Sequence, residues 1–143
     1  MAVSPVQSRW MLSVCAALLA AVALVVVVGV IPSVRDTTAP DIYIEQAVPA
    51  FRAAVGLHLL AAMALLRTAA FSKGRSRIST PVLFATGVAI LFFGFVLSDA
   101  ARAFGAAGPS MQAVATLLFL CVAADVLAGA LTLATAFLRP GSD

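Results

Sequence analysis

The sequence predicts an all-α fold, an integral membrane bundle of four transmembrane helices with both termini on the inner side (N-in/C-in). Three observations carry this. Of 143 residues, 63% are hydrophobic and only 10% charged, with a mean hydropathy of +1.11. Soluble chains use roughly 45–50% apolar and about 25% charged residues, so the polar groups here cannot cover a water-facing surface. Apolar runs of bilayer length recur four times, and short polar or Gly/Pro-bearing segments separate them. The same composition excludes a disordered chain and a coiled coil, and two cysteines do not make a disulfide scaffold.

The first run, Met11 to Ile31, is 21 residues without a charge between Arg9 and Arg35. At 1.5 Å per residue it measures about 31 Å, the thickness of a bilayer core. A cleaved signal peptide has a shorter apolar region, about 7–15 residues, and a small-residue cleavage site. Ile31-Pro32 ends this run instead, so it is expected to be retained as a span. Pro32 to Gln46 contains Arg35, Asp36, Asp41, Glu45 and two prolines, with turn and helix-start chemistry from Thr37 to Asp41, and is expected to be a polar connector.

The second run, Val48 to Phe71, is uncharged only from Ala53 to Leu66. It spans if Arg52 and Arg67 lie near its ends and snorkel to the headgroups; the alternative is a helix buried in a larger assembly. Ser72 to Arg77 is a short basic loop. Pro81 suits the first turn of a third helix, which is expected to run to Ser98. Asp99 to Ser110 reads as a connector with Gly105, Gly108 and Pro109 as breakers. The fourth run, Met111 to Leu138, is interrupted only by Asp125 and stopped by Arg139-Pro140-Gly141. Residues 1–143 thus form a single membrane domain, with helices near 11–31, 48–71, 81–98 and 111–138 packed antiparallel.

The formal net charge is +3, but the nine Lys and Arg are spread along the chain rather than gathered in a nucleic-acid motif. Membrane orientation explains them better. With the N-terminus inside, Arg9, Arg67, Lys73, Arg75, Arg77 and Arg139 lie on the inner side, against Arg35, Arg52 and Arg102 outside. The inner side is bacterial cytoplasm or mitochondrial matrix.

An ionisable group within a bilayer is costly and marks a candidate site. Arg52, His58 and Asp125 are the ones lying well within apolar segments. Asp125, near the middle of its run, shares a helical stripe with Cys121, Ala128, Gly129 and Thr132, while Leu120, Leu127, Leu131 and Leu138 fall opposite and are expected to face lipid. His58 shares its face with Ala54, Ala61, Ala62 and Leu65, opposite Leu60 and Met63. Small residues there allow close helix contact.

The expected role of these polar groups is structural. Asp125 is expected to find a polar partner, which could be His58, a basic group of another subunit, or a backbone carbonyl of the first helix. Counted from Pro49 and Met111, His58 and Asp125 lie about 14 and 21 Å deep, a gap of about 7 Å that a direct pair must close by tilt or a later helix start. Cys15 and Cys121 behave as small buried hydrophobes. Gly87 and Gly94, with Leu91 between them, form a helix-packing groove, as do Ala128 and Gly129. Phe92, Phe93 and Phe95 are expected to touch lipid or a partner. Asp99 and Arg102, three apart at a helix end, suggest a surface ion pair.

No Walker A sequence, dinucleotide fingerprint, Gly-x-Ser-x-Gly or metal-spaced cysteine pair occurs. A single histidine cannot supply bis-histidine haem ligation within the chain. Internal repeats and broken midplane helices, the usual marks of a transporter, are missing too. The chain is therefore not expected to be an enzyme, with no catalytic, cofactor or metal residues and no nucleic acid or soluble substrate.

The order of features resembles the YgdD-like family, small four-helix membrane proteins of bacteria with a mitochondrial relative in animals. Ser8-Arg9-Trp10-Met11-Leu12 resembles the family's start. Phe51 to Leu66 resembles its second helix, with His58 at the place of a family histidine. Leu91-Phe92-Phe93-Gly94 is similar to its Leu-Phe-Ser-Gly stretch, and Gly108-Pro109 falls where the family has Thr-Pro. The likeness covers roughly Arg9 to Thr132. The family's Gly-Ala-Phe-Gly-Ala-His run at the end of the first helix is replaced by Val25 to Val30. The resemblance implies a membrane location and architecture without a catalytic activity.

Four short helices with little extramembrane mass suggest an accessory subunit of a larger membrane complex, with a respiratory-chain complex of the mitochondrial inner membrane as the first expectation. Its partners would be other membrane subunits and lipids such as cardiolipin. A stand-alone protein or small transporter of the bacterial cytoplasmic membrane is the alternative.

Overall fold

The computed structural model describes residues 5–36, 41–71 and 79–137. Helix α1 (Pro5–Val25) passes through a π-helical turn (Val26–Val30) into α2 (Ile31–Arg35), and α3 (Asp41–Phe71), α4 (Ser79–Ala106), a 3₁₀ turn (Pro109–Met111) and α5 (Gln112–Phe137) follow. Among the described residues four helical stretches are long and apolar enough to cross a membrane: Val6–Arg35, Ala47–Ala70, Thr80–Ala106 and Pro109–Phe137. The chain is an all-α bundle of membrane-spanning character.

The helices outrun the apolar runs, because hydropathy marks where lipid is and hydrogen bonding marks where a helix is. The first begins at Pro5 rather than near Met11 and does not stop at Ile31. Pro32, expected to open a connector, sits in the first turn of α2. In a regular helix its ring would clash with the carbonyl four residues earlier. Here the preceding turn is widened, with the Ile31 N–H donating to the Val26 carbonyl five residues back.

Helix α3 likewise starts at Asp41 rather than Val48 and contains Pro49. Helix α4 continues to Ala106, so the connector expected from Asp99 shrinks to Ala107 and Gly108. Ala100, Ala101, Ala103 and Ala106 carry the helix past Gly105. The chain turns at Gly108, whose φ of 124° is open to glycine and strained for other residues. Residues 37–40, the basic loop from Ser72 to Arg77, Leu138 and the Arg139-Pro140-Gly141 stop lie outside the described residues.

The most extensive packing is between α4 and α5, while α1 packs on both α3 and α5 and α3 meets α4 lightly. Two apolar clusters fill the core. One joins Val22, Val26, Val30, Ile31 and Val34 to Val48, Phe51, Leu97, Ala101, Met111, Val114, Leu118 and Cys121. The other joins Leu12, Cys15, Ala16 and Leu19 to Ala62, Leu65, Ala69, Leu83, Ile90, Ala128 and Ala136. Sequence order through the clusters reverses from each spanning helix to the next, which is an antiparallel up-down-up-down bundle. Phe51 stacks near Phe104 at one end and Phe84 meets Phe137 at the other, each at 5.9 Å between ring centres.

Glycine permits the α4–α5 contact. A Cβ on Gly129 would lie 2.7 Å from Leu91 Cγ and 3.3 Å from the Gly87 carbonyl oxygen, and one on Gly87 would lie 2.8 Å from Leu133 Cγ. Small residues thus let the backbones approach closely where lipid supplies no hydrophobic drive between helices. Buried Ala128 belongs to the same face of α5. The outward faces are apolar: Phe92, Phe95, Leu120, Leu60 and Met63 are exposed, as suits lipid contact.

Candidate functional site

The level between the two apolar clusters holds the buried ionisable pair. His58 follows Val48 and Phe51 of one cluster and precedes Ala62 and Leu65 of the other; Asp125 stands between Cys121 and Ala128 in the same way. Both are enclosed, with 1% and 0% of their surface exposed. His58 Nε2 lies 3.0 Å from Asp125 Oδ2 and 3.1 Å from Oδ1. On its other side Nδ1–H donates to the Ala54 carbonyl at 2.6 Å. That carbonyl can only accept, so Nδ1 carries a proton.

Packing positions the two side chains. On α4, Gly94 leaves the room Asp125 needs, since a Cβ there would sit 3.2 Å from Asp125 Cβ. The Phe93 ring is tilted against the imidazole with centroids 5.6 Å apart. The pair crosses the core, because α3 and α5 occupy opposite corners, with α1 packed against both.

Of the residues singled out in sequence, His58 and Asp125 come together, while Arg52 is exposed on the outside of α3 and takes no part. The gap of about 7 Å does not survive, because α3 starts at Asp41 rather than near Pro49 and packing against α1 and α4 brings the two side chains to one level. Cys121, Ala128, Gly129 and Thr132 line the buried face of α5 as its stripe indicates. Leu131 does not face lipid but packs partly buried against the second cluster. Phe93, expected to face lipid or a partner, turns inward onto His58. The stripe Leu83, Gly87, Ile90, Gly94, Leu97 and Ala101 carries the signal that finds it, since Phe93 lies between Ile90 and Leu97 on that side. Asp99 and Arg102 are exposed within α4 and form no ion pair with each other.

The remaining polar groups close on themselves. Thr132 and Thr135 donate to the Ala128 and Leu131 carbonyls at 2.7 and 2.8 Å, and Thr68 and Thr86 follow the same pattern. Among the described residues no buried side-chain nitrogen or oxygen lacks a partner, as hydrocarbon surroundings demand. Comparison with protein-family models, curated proteins and solved structures returns no match.

Proposed function

We propose that the chain is a non-catalytic accessory subunit of a larger membrane complex, acting by helix packing and by contact with lipid and neighbouring subunits. One observation carries this reading: the core's ionisable groups are spent on each other. Both ring nitrogens of His58 and both carboxylate oxygens of Asp125 are engaged within the bundle, which suits a staple better than a reacting group. The face left for interaction is apolar and aromatic. The resemblance to YgdD-like proteins, with their mitochondrial relative, directs the proposal to the mitochondrial inner membrane, with both termini in the matrix, a respiratory-chain complex as host and cardiolipin among the bound lipids.

A second reading is favoured by the same pair. Because Asp125 finds its partner inside the chain, the bundle needs no other subunit to satisfy it, as befits a stand-alone YgdD-like protein or small transporter of a bacterial cytoplasmic membrane.

Purification in mild detergent with native mass spectrometry separates the two. The accessory role expects co-migration with redox subunits; a pure homo-oligomer that moves solute in liposomes replaces it with the second reading. Replacing exposed Phe84, Phe92 and Phe95 together by alanine should leave insertion intact and reduce co-purification with the host complex by tenfold or more, the loss of about 1.4 kcal/mol of association. Undiminished recovery would move the interface to another helix.

A further inference from the structure

Packing is uneven around the bundle. Helix α4 is locked onto α5 by glycine contacts, and α1 holds both α3 and α5, but α3 touches α4 lightly. What ties α3 to the α4–α5 hairpin across the core is the hydrogen bond from His58 to Asp125, with the Phe51–Phe104 and His58–Phe93 ring contacts along the seam.

The tie has a fixed proton count. With Nδ1–H committed to the Ala54 carbonyl, Nε2 and the carboxylate bond only with one proton between them. That is imidazolium with carboxylate or imidazole with carboxylic acid, neutral overall in either form. Removing the proton leaves two acceptors facing each other at 3.0 Å and a negative charge without a counter-ion in an apolar core. That arrangement is repulsive and poorly solvated. The ring also cannot pass a proton onward through Nδ1, because a carbonyl does not take one up. This geometry suits a switch rather than a wire.

Among the described residues no second charge at this level compensates. Helix α4 presents Phe93 and Gly94 to the pair, and α5 adds the thiol of Cys121 one turn away. Helix α1 contributes Cys15, which lies beside Thr132 in the other direction. On α3 itself, Arg52 points outward.

We infer that His58 and Asp125 form a proton-operated latch: the bundle is closed while one proton lies between them, and the α3–α4 seam opens when that proton is lost. The latch is a property of the bundle itself and does not depend on the accessory role.

The test uses spin labels at the exposed positions Met63 of α3 and Val88 of α4, in the full chain with Cys15 and Cys121 replaced by alanine and reconstituted in lipid nanodiscs. Double electron–electron resonance then reads the α3–α4 distance from neutral into alkaline pH. The wild-type pair should give one narrow distance at neutral pH that lengthens and broadens reversibly as pH rises. Asp125→Asn should hold the neutral distance throughout, because its amide N–H donates to Nε2 without a shared proton. Asp125→Leu should give the open distribution at every pH. A wild-type distance that stays unchanged, or an Asp125→Asn variant that opens alongside the wild type, overturns the latch. If Asp125→Leu fails to insert, the wild-type and Asn contrast still decides. Independently, the single histidine gives one ¹⁵N ring spectrum, which should show Nδ1 protonated across the range. A ring protonated at Nε2 alone would contradict the assignment.

Discussion

At the scale of single residues, shape and polarity at position 125 can be separated. Asp125→Asn keeps a group that bonds His58 Nε2, so insertion, assembly and unfolding in detergent should stay close to wild type. Asp125→Leu removes that group and leaves Nε2 buried without a partner; hydrogen bonds between membrane helices suggest a loss of about 1–2 kcal/mol. Equal stability of the two variants in steric-trapping unfolding would deny the pair a structural role. Loss of proton-coupled turnover by Asp125→Asn in a fully assembled complex would instead point to a proton relay. The glycines give a second test, in which space decides the sign. Gly129→Ala drives a methyl to 2.7 Å from Leu91 Cγ and 3.3 Å from the Gly87 carbonyl. The leucine can swing away, but the carbonyl cannot, so a cost of about 1–3 kcal/mol is expected. Gly56→Ala meets nothing within 4 Å and should be stabilising by up to about 1 kcal/mol through helix propensity alone. The same unfolding assay reads both, and an equal response would show that the α4–α5 contact is looser than the distances indicate.

At the scale of elements, Pro32 and the π turn should be energetically coupled. Deleting Val28, an exposed residue within Val26–Val30, removes the extra residue and forces the proline ring against the helix; the expected loss is about 3 kcal/mol. In a Pro32→Ala background the deletion should cost clearly less, because alanine accepts a regular α-helical turn. Additive effects in this double-mutant cycle would mean that the π turn has another cause. Such elements show where the sequence was legible. Long uncharged runs marked four spans, and the small residues beside His58 and Asp125 placed both on inward faces. Helix ends were not legible, because polar residues such as Gln7, Ser8, Arg9 and Asp99 leave the apolar run without leaving the helix. The π turn was hidden because its residues, Val26–Val30, are ordinary, and only the following proline hints at it. Relative depth was hidden as well. Counted from the observed helix starts, His58 is about 26 Å along α3 and Asp125 about 20 Å along α5 at 1.5 Å per residue. Neither count gives their common level, which is set by packing against α1 and α4.

For the whole molecule, antiparallel order puts Pro5, Phe71, Ser79 and Phe137 at one end of the bundle and Arg35, Asp41, Ala106 and Gln112 at the other. Geometry relates the two ends to each other, and charge assigns them to sides of the membrane. Arg9 and Arg67 belong to the first end, and in sequence Lys73, Arg75, Arg77 and Arg139 follow the helices that finish there, against Arg35, Arg52 and Arg102 at the second, so the first should face the cytoplasm or matrix. Cysteines introduced at Ser72 and Ser142 should therefore react with an impermeant maleimide only from that inner side, and cysteines at Thr38 and at Ala107, in the tight α4–α5 connector, only from the outer side. Cys15 and Cys121 are buried and should not add to the signal in intact membranes. Labelling of Ser72 and Thr38 from the same side would break the four-span topology itself. Labelling at every position from the side opposite to the expected one would keep the bundle but invert it. Adding two lysines to the Ala107–Gly108 turn provides the decisive variation, because it narrows the charge difference to six against five. If the Lys/Arg difference sets orientation, part of the population should then insert the other way, and Ser72 should become reactive from both sides of the membrane. A labelling pattern untouched by the added charge would assign orientation to a partner or to the insertion route rather than to the chain's own basic residues.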